Sequence, residues 1–488
     1  MQPQYGISPY NQGFVVNTPP PQPAPQEVNY YHHHQQQSAV PLKERWSKRL
    51  AKTAETVVPS VVACILLQAV AAFFSLTAET TFNNVIQHVR DFSDDKDHDQ
   101  FVLQVVFNVF FSFAAVMCVP VIKNSGYSMI VMGGTVLLLF STMSSSLVST
   151  AKILVLPYGI FGACAVGLLQ VGTEVAMLDY LNNRRGLAQS LSYLGVTVGQ
   201  TAALLCFFFT DMIEDAQYDS NGKTRWQNNL RVVEVTAVIA LMSGIVLRKP
   251  SHTLGKWPEV FSLKPFYALN IIYFFSQIGF SFFNIVATRG TDELDLDEKH
   301  FSAHPILAPF FIYIIAQFAG VIVFIVGASC CTNCCQQRSL VVGGIAAMLL
   351  AGASFAHTEA FDELWQFAVY TGGAGVVSAL VRVSVPLSMI YYTGRDNYKI
   401  ALPFLKFTGG LGGLVAYLIQ ANPPDDMGFS DSWYACGALL GVFGLGAVLT
   451  TCLFSGWVDY KAQGDEQAKQ NIRAIENEAF IPDTDFEE

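Results

Sequence analysis

Residues 370–413 read YTGGAGVVSALVRVSVPLSMIYYTGRDNYKIALPFLKFTGGLGG, two apolar stretches joined by a short polar turn. Each stretch is long enough to cross a bilayer, which takes about 20 apolar residues. Each also carries one cation, Arg382 in the first and Lys406 in the second. Arg382 lies eight residues before Ile390 and Lys406 seven after Lys399. At about 1.5 Å rise per residue, both sit roughly 10–12 Å inside the same membrane face. An ionisable group at that depth marks a functional site unless its side chain snorkels to the interface.

The rest of the chain repeats this pattern. Of 488 residues, 52% are hydrophobic and 14% charged, whereas a globular chain is about one quarter charged. Apolar runs occur near 56–77, 101–122, 127–147, 153–178, 187–210, 230–247, 265–287, 305–329, 339–356, 363–390, 399–420 and 433–455. The expected fold is an all-α membrane protein of twelve transmembrane helices in two pseudo-symmetric six-helix bundles. The first run, from residue 56, is too long for a signal-peptide core. A net charge of −10 gives no basic domain for nucleic acid, since the acids cluster in loops and the tail.

Residues 1–42, rich in Pro, Gln, Asn and Tyr with a His32–His34 run, cannot bury a core and are expected to be disordered. LKERWSKRLAK follows, so residues 43–55 form a basic anchor to anionic lipid. With a cytoplasmic N-terminus, 18 Lys and Arg fall on inside segments and 8 on outside ones, Arg382 and Lys406 making up the 28. That asymmetry places both termini in the cytoplasm; the plasma membrane is the default location. The domains are then a bundle at 56–247, a linker at 248–264, a bundle at 265–455 and an acidic tail at 456–488.

A shift of 212 residues lays span four on span ten. Tyr158, Leu168, Val171, Met177 and Tyr180 then coincide with Tyr370, Leu380, Val383, Met389 and Tyr392. A shift of 214 lays Gly195 and Gly199 on Gly409 and Gly413. Such a parallel repeat is the mark of transporters whose halves are related by an axis along the membrane normal, with cargo near the midplane. Gln170 falls on Arg382 in this register; the alternative for Gln170 is a helix–helix hydrogen bond within one half.

Glu174 is the one carboxylate well inside a span. Two cations facing at most one acid suggest a site that awaits negative charge, and a guanidinium matches a carboxylate two-pronged. Arg382, Lys406 and Gln170 are therefore the candidate substrate ligands. Glu174 is the candidate proton-coupling acid. Alternatively, Glu174 and Asp179 pair with Arg184 and Arg185 at the surface. Gly195, Gly199, Gly409, Gly410, Gly412 and Gly413 are seams for close helix approach, and Gly372, Gly373, Gly375 and Pro386 are candidate bending points. Cys330, Cys331, Cys334 and Cys335 follow span eight on the cytoplasmic side, where palmitoylation is the first candidate and zinc a weaker one. Walker loops, nucleophile elbows, paired catalytic carboxylates and helical metal motifs are missing, so no enzyme, metal centre or cofactor is expected.

Twelve spans in two blocks, with Arg184 and Arg185 opening span five, resemble the major facilitator superfamily. Within it, Tyr180, Arg184, Arg185, Leu187, Ala188 and Gly195 are similar to the aromatic–basic–Leu-Ala–Gly pattern of monocarboxylate transporters. The loop YYTGRDNY is loosely similar to theirs. The resemblance implies conformational roles for Arg184, Arg185 and the paired glycines, and proton-coupled movement of a small carboxylate such as pyruvate or lactate. The chain departs from the pattern at VIKNSGYS, where Lys123 replaces an acid and Gly126 is kept, and span eight lacks the subfamily's Asp–Arg pair. GVVSALVRVSVP and the Gly-rich span eleven also resemble equilibrative nucleoside transporters, which have eleven spans. The expectation is thus a multi-pass secondary transporter of a small organic anion, with protons as candidate coupling ions. Nucleoside transport is the alternative, and a transporter-shaped sensor or scaffold acting through its tails is the third.

Overall fold

The computed structural model describes residues 57–76, 96–148, 151–181, 184–214, 225–247, 255–293, 307–330, 334–360, 364–394, 397–421 and 429–455. Among these the regular structure is helical, in twelve long helices. α1 is Val57–Leu76, α2 Lys96–Ser125 and α3 Tyr127–Leu147. α4 runs from Ala151–Leu154 through a π-helical stretch, Val155–Gly162, into Ala163–Tyr180. α5 is Arg185–Glu214, α6 Arg225–Ile245, α7 Lys264–Glu293 and α8 Leu307–Cys330. α9 is Cys334–Ala360, α10 Leu364–Thr393, α11 Tyr398–Ala421 and α12 Phe429–Phe454. A five-residue helix, Trp257–Phe261, precedes α7. The N-terminal tail, the basic segment, the acidic tail and Cys331 lie outside the described residues. Cys330 closes α8, and Cys334 and Cys335 open α9.

Among the described residues, nine helices are long and apolar enough to cross a membrane, and Val232–Ile245 and Phe311–Gly327 are shorter apolar runs. α5 breaks its apolar pattern with Gln189, Ser190, Ser192 and Thr197, all buried. The surface is inverted relative to a water-soluble bundle. Met129, Val136, Phe140 and Met143 on α3, and Val442, Leu445, Leu449 and Leu453 on α12, are exposed, while Ser112, Thr135, Ser141, Thr173 and Ser384 are fully buried. Outward apolar faces with inward hydroxyls are what lipid as solvent selects.

The helix pairs reveal the symmetry. In the N-terminal half α2 packs on α4, α3 on α4 and α3 on α6; in the C-terminal half α8 packs on α10, α9 on α10 and α9 on α12. Between the halves the main seams are α2 with α11 and α5 with α8. Adding or subtracting six converts one seam into the other, as a two-fold relation requires. Tyr158 and Tyr370 mark the same relation. Tyr158 meets Phe74 of α1 at 4.9 Å and Phe107 of α2 at 6.4 Å. Tyr370 meets Phe283 of α7 at 5.6 Å, and Phe283 stacks on Tyr313 of α8.

Gly195, Gly199, Gly409 and Gly412 hold helices together within each half. A Cβ on Gly195 or Gly199 would strike the carbonyls of Ile65 or Ala69 on α1, and one on Gly409 or Gly412 would strike Tyr273 or the Phe274 carbonyl on α7. Gly199→Leu is expected to destabilise the protein by about 1–3 kcal/mol or more, because backbone and not a flexible side chain must move. Gly133→Leu, with nothing within 4 Å, is expected to be neutral; a thermal-shift measurement of both in detergent checks this. Gly126 (φ 81°) and Gly394 (φ 83°) turn the chain after α2 and α10, where a side chain would be strained. The π-helical stretch of α4 contains Pro157, which lacks an amide donor and crowds the preceding turn.

Candidate functional site

α4 is buried along one long run, Val171 to Leu178, so Glu174 reaches neither lipid nor open water. Its carboxylate is met from two helices. Gln189 of α5 donates Nε2 to Oε1 at 2.6 Å, and Lys406 of α11 places Nζ 2.9 Å from Oε2. The second contact crosses between the halves. Two turns of α11 away, Lys399 lies 2.8 Å from Asp179 Oδ2, with side chains 1% and 6% exposed. Tyr127 of α3 donates to Asp179 Oδ2 at 2.6 Å and Tyr398 of α11 to Oδ1 at 2.7 Å. Asp179 is thus a buried three-donor node that ties α3 and α4 to α11.

Arg382 of α10 has a different environment. The phenols of Tyr193 on α5, Tyr313 on α8 and Tyr273 on α7 lie close to its guanidinium. Its Nε is buried with no hydrogen-bond partner among the described residues, and no described carboxylate pairs with it. Tyr193 also donates to Gln317 Oε1 of α8 at 3.2 Å, and Gln317 donates to Ser378 of α10 at 3.4 Å. A short polar chain therefore links the two halves beside Arg382.

Arg382, Glu174 and Lys406 all line one cavity of about 230 Å³ between the halves, just under the ~300–1,000 Å³ typical of drug-sized ligands. Its charges are two cations and one acid, leaving one positive charge uncompensated. The wall is otherwise rich in amides: Gln68, Gln104, Asn108, Gln170, Gln189, Gln200 and Gln277. On α5 the lining extends from Gln189 to Gln200, about 16 Å along the helix. It runs from the Glu174–Lys406 level away from the Asp179 node, towards Ser75, Ser281 and Tyr417. The node closes the bundle on the side where α3, α5 and α11 begin.

Several expectations need correction. Glu174 and Asp179 pair with Lys406 and Lys399 of the other half, not with Arg184 and Arg185, because the crossing of α4 on α11 brings those lysines nearer. Lys406 is consequently not a bare cation awaiting an anion; Glu174 already supplies one. Arg184 is exposed and outside the cavity lining, and so is half-buried Arg185. Gln170 and Arg382 line the same cavity from opposite halves. The Gln170 carbonyl accepts Gln68 Nε2 at 2.7 Å, a contact within one half. Gly409 and Gly413 also line the cavity, whereas Gly195 and Gly199 serve the α1 seam. Apart from Gln170, the amide set, Tyr193 and the Lys399–Asp179 node were not singled out from sequence, although glutamines inside apolar spans are a usable signal. Among the described residues, no three His, Cys, Asp or Glu side chains gather where a metal ion would fit.

No protein-family model and no curated protein matches the sequence. Solved structures do match. The proton:xylose symporter XylE, bound to 6-bromo-6-deoxy-D-glucose, superposes with a TM-score of 0.61 at 13% identity, covering 83% of this chain and 96% of its own. The transporter FucP in its outward conformation gives 0.60 at 10% identity, covering 80% and 98%. The E. coli fucose:proton symporter FucP in a variant form gives 0.55 at 10% identity, covering 80% and 99%. XylE and FucP are major facilitator superfamily transporters and proton symporters, and at these identities what is shared is architecture: the chain has the major facilitator fold.

Proposed function

We propose that this protein is a secondary transporter that moves a small organic anion by alternating access between its two halves. The observation that carries the proposal is Arg382, a half-buried residue with a fully buried Nε on the wall of an inter-half cavity and no carboxylate partner among the described residues. A buried charge without a counter-ion is costly, and an anionic cargo relieves that cost when it binds. A monocarboxylate matches the single uncompensated charge. With the termini in the cytoplasm, as the Lys and Arg distribution indicates, the Asp179 node seals the cytoplasmic side and the cavity faces outward.

A neutral sugar is the second reading, favoured by the amide-rich wall and by the cargo of XylE and FucP. Uptake by the full-length protein in vesicles, with labelled small carboxylates set against labelled xylose and adenosine, separates the two. Accumulation of a carboxylate supports the anion proposal; uptake of neutral solutes alone overturns it.

Glu174 is the acid proposed to couple transport to protons, being the one carboxylate in the lining. Protonating it would free Lys406 and remove one of the contacts between α4 and α11, leaving the Asp179 node in place. Glu174→Gln is expected to retain exchange of labelled cargo while abolishing accumulation driven by an imposed pH gradient. Undiminished gradient-driven accumulation in this variant would remove Glu174 from the coupling step.

A further inference from the structure

We infer that the cargo is a hydroxylated carboxylic acid of the sugar-acid type, its carboxylate on Arg382 and its hydroxyls on the amide wall. The inference rests on the anion proposal above and narrows it. A three-carbon acid satisfies the guanidinium and little else. The cavity offers seven side-chain amides on α1, α2, α4, α5 and α7, drawn from both halves. Each amide presents a donor pair and an acceptor, the complement of adjacent hydroxyls, which both donate and accept.

The protein itself uses only part of the amides' capacity: Gln68, Asn108, Gln189 and Gln277 each donate one bond to protein groups. Gln189 Oε1 and Gln200 Oε1 are buried without a hydrogen-bond partner among the described residues, and both residues line the cavity. Asn108 uses Nδ2 on the Gln104 carbonyl at 2.9 Å, which leaves its Oδ1 beside Gly413. Polar groups held in this state inside apolar helices cost free energy until a ligand or water pairs them. The positions are also ordered along the cavity. Arg382 sits with Tyr193 and Tyr273, near the Glu174–Lys406 level, while Gln104, Asn108, Gln200 and Gln277 lie with Ser75, Ser281 and Tyr417 on the side away from the Asp179 node. Phe107, Phe111 and Tyr417 add apolar faces suited to the C–H surface of a carbon chain. A charged head and a hydroxylated body match that order; a neutral sugar leaves Arg382 uncompensated, and a bare short acid leaves the amides unpaired.

The test is uptake of labelled D-gluconate and D-glucuronate by the full-length protein in vesicles, with labelled L-lactate and D-glucose measured in the same preparation. At least one sugar acid is expected to be carried with a kcat/KM at least roughly tenfold above that of lactate. Gln104→Leu and Gln277→Leu are each expected to raise the sugar-acid KM roughly tenfold while changing the lactate rate less than about twofold. The ratio of the two rates within one preparation cancels any loss of folded protein. Lactate carried as well as or better than both sugar acids overturns the inference and leaves the anion proposal standing. Glucose carried with neither acid carried overturns both. Absence of uptake of both sugar acids overturns the inference.

Discussion

Asp179→Ala is expected to open the end of the bundle that the structure holds shut. The substitution leaves Lys399 buried and unpaired and deprives Tyr127 and Tyr398 of their acceptor. Breaking a buried pair from one side costs about 3–5 kcal/mol. Because the node bridges the halves, separating them lets water reach Lys399, so much of that cost falls on the closed state alone. A bias of about 3 kcal/mol changes a two-state ratio more than a hundredfold. Spin labels at Met129 and Val342, exposed near the starts of α3 and α9 in opposite halves, are expected to move apart in the variant. An unchanged distance distribution in well-folded protein would show that the node does not hold the halves together. Pairing Asp179→Leu with Lys399→Met removes both charges and is expected to recover thermal stability without restoring the closed distance, which distinguishes loss of closure from misfolding.

The second large effect belongs to Arg382. Arg382→Ala is expected to reduce kcat/KM for anion uptake by at least roughly 30-fold, the lower end of the 2–5 kcal/mol that losing one partner of a buried charge pair costs. Arg382→Lys keeps the charge but not the planar fork, so it is expected to recover only part of the loss. Tyr193→Phe, which removes a hydroxyl from the guanidinium, is expected to raise KM about tenfold with a smaller change in kcat, since the phenol positions Arg382 instead of touching the reaction path of the solute. Uptake kinetics with surface expression measured in parallel check all three. Wild-type kinetics in Arg382→Ala would remove this residue from the substrate site.

The fold was legible because the bilayer demands long apolar helices, and twelve such runs are plain in the sequence. Arg382 was equally visible, since a guanidinium in the middle of an apolar run has few bland explanations. Lys399 was not, because a lysine next to a polar turn ordinarily snorkels; only the approach of α4 buries it, and its partner Asp179 is 220 residues away. The same distance explains Glu174. Sequence offered Arg184 and Arg185 nearby, while the fold supplied Lys406 from the other half. The amides other than Gln170 escaped notice for another reason. A side-chain amide carries no charge, so one or two per helix scarcely alter hydropathy, and seven become a site only when five helices converge. Pro157 sits in plain view, but that α4 accommodates it with a π-helical stretch depended on packing that periodicity does not report.

The most direct measurement compares binding of a carboxylate with binding of its uncharged amide, by calorimetry on the purified full-length protein. Gluconate and gluconamide form such a pair, alike in shape and hydroxyls and different in one charge. The carboxylate is expected to bind at least roughly 30-fold more tightly, and the preference is expected to vanish in Arg382→Gln. Equal affinity for the two, or a preference that survives loss of the guanidinium, would contradict the claim that a lone positive charge between the halves selects the cargo.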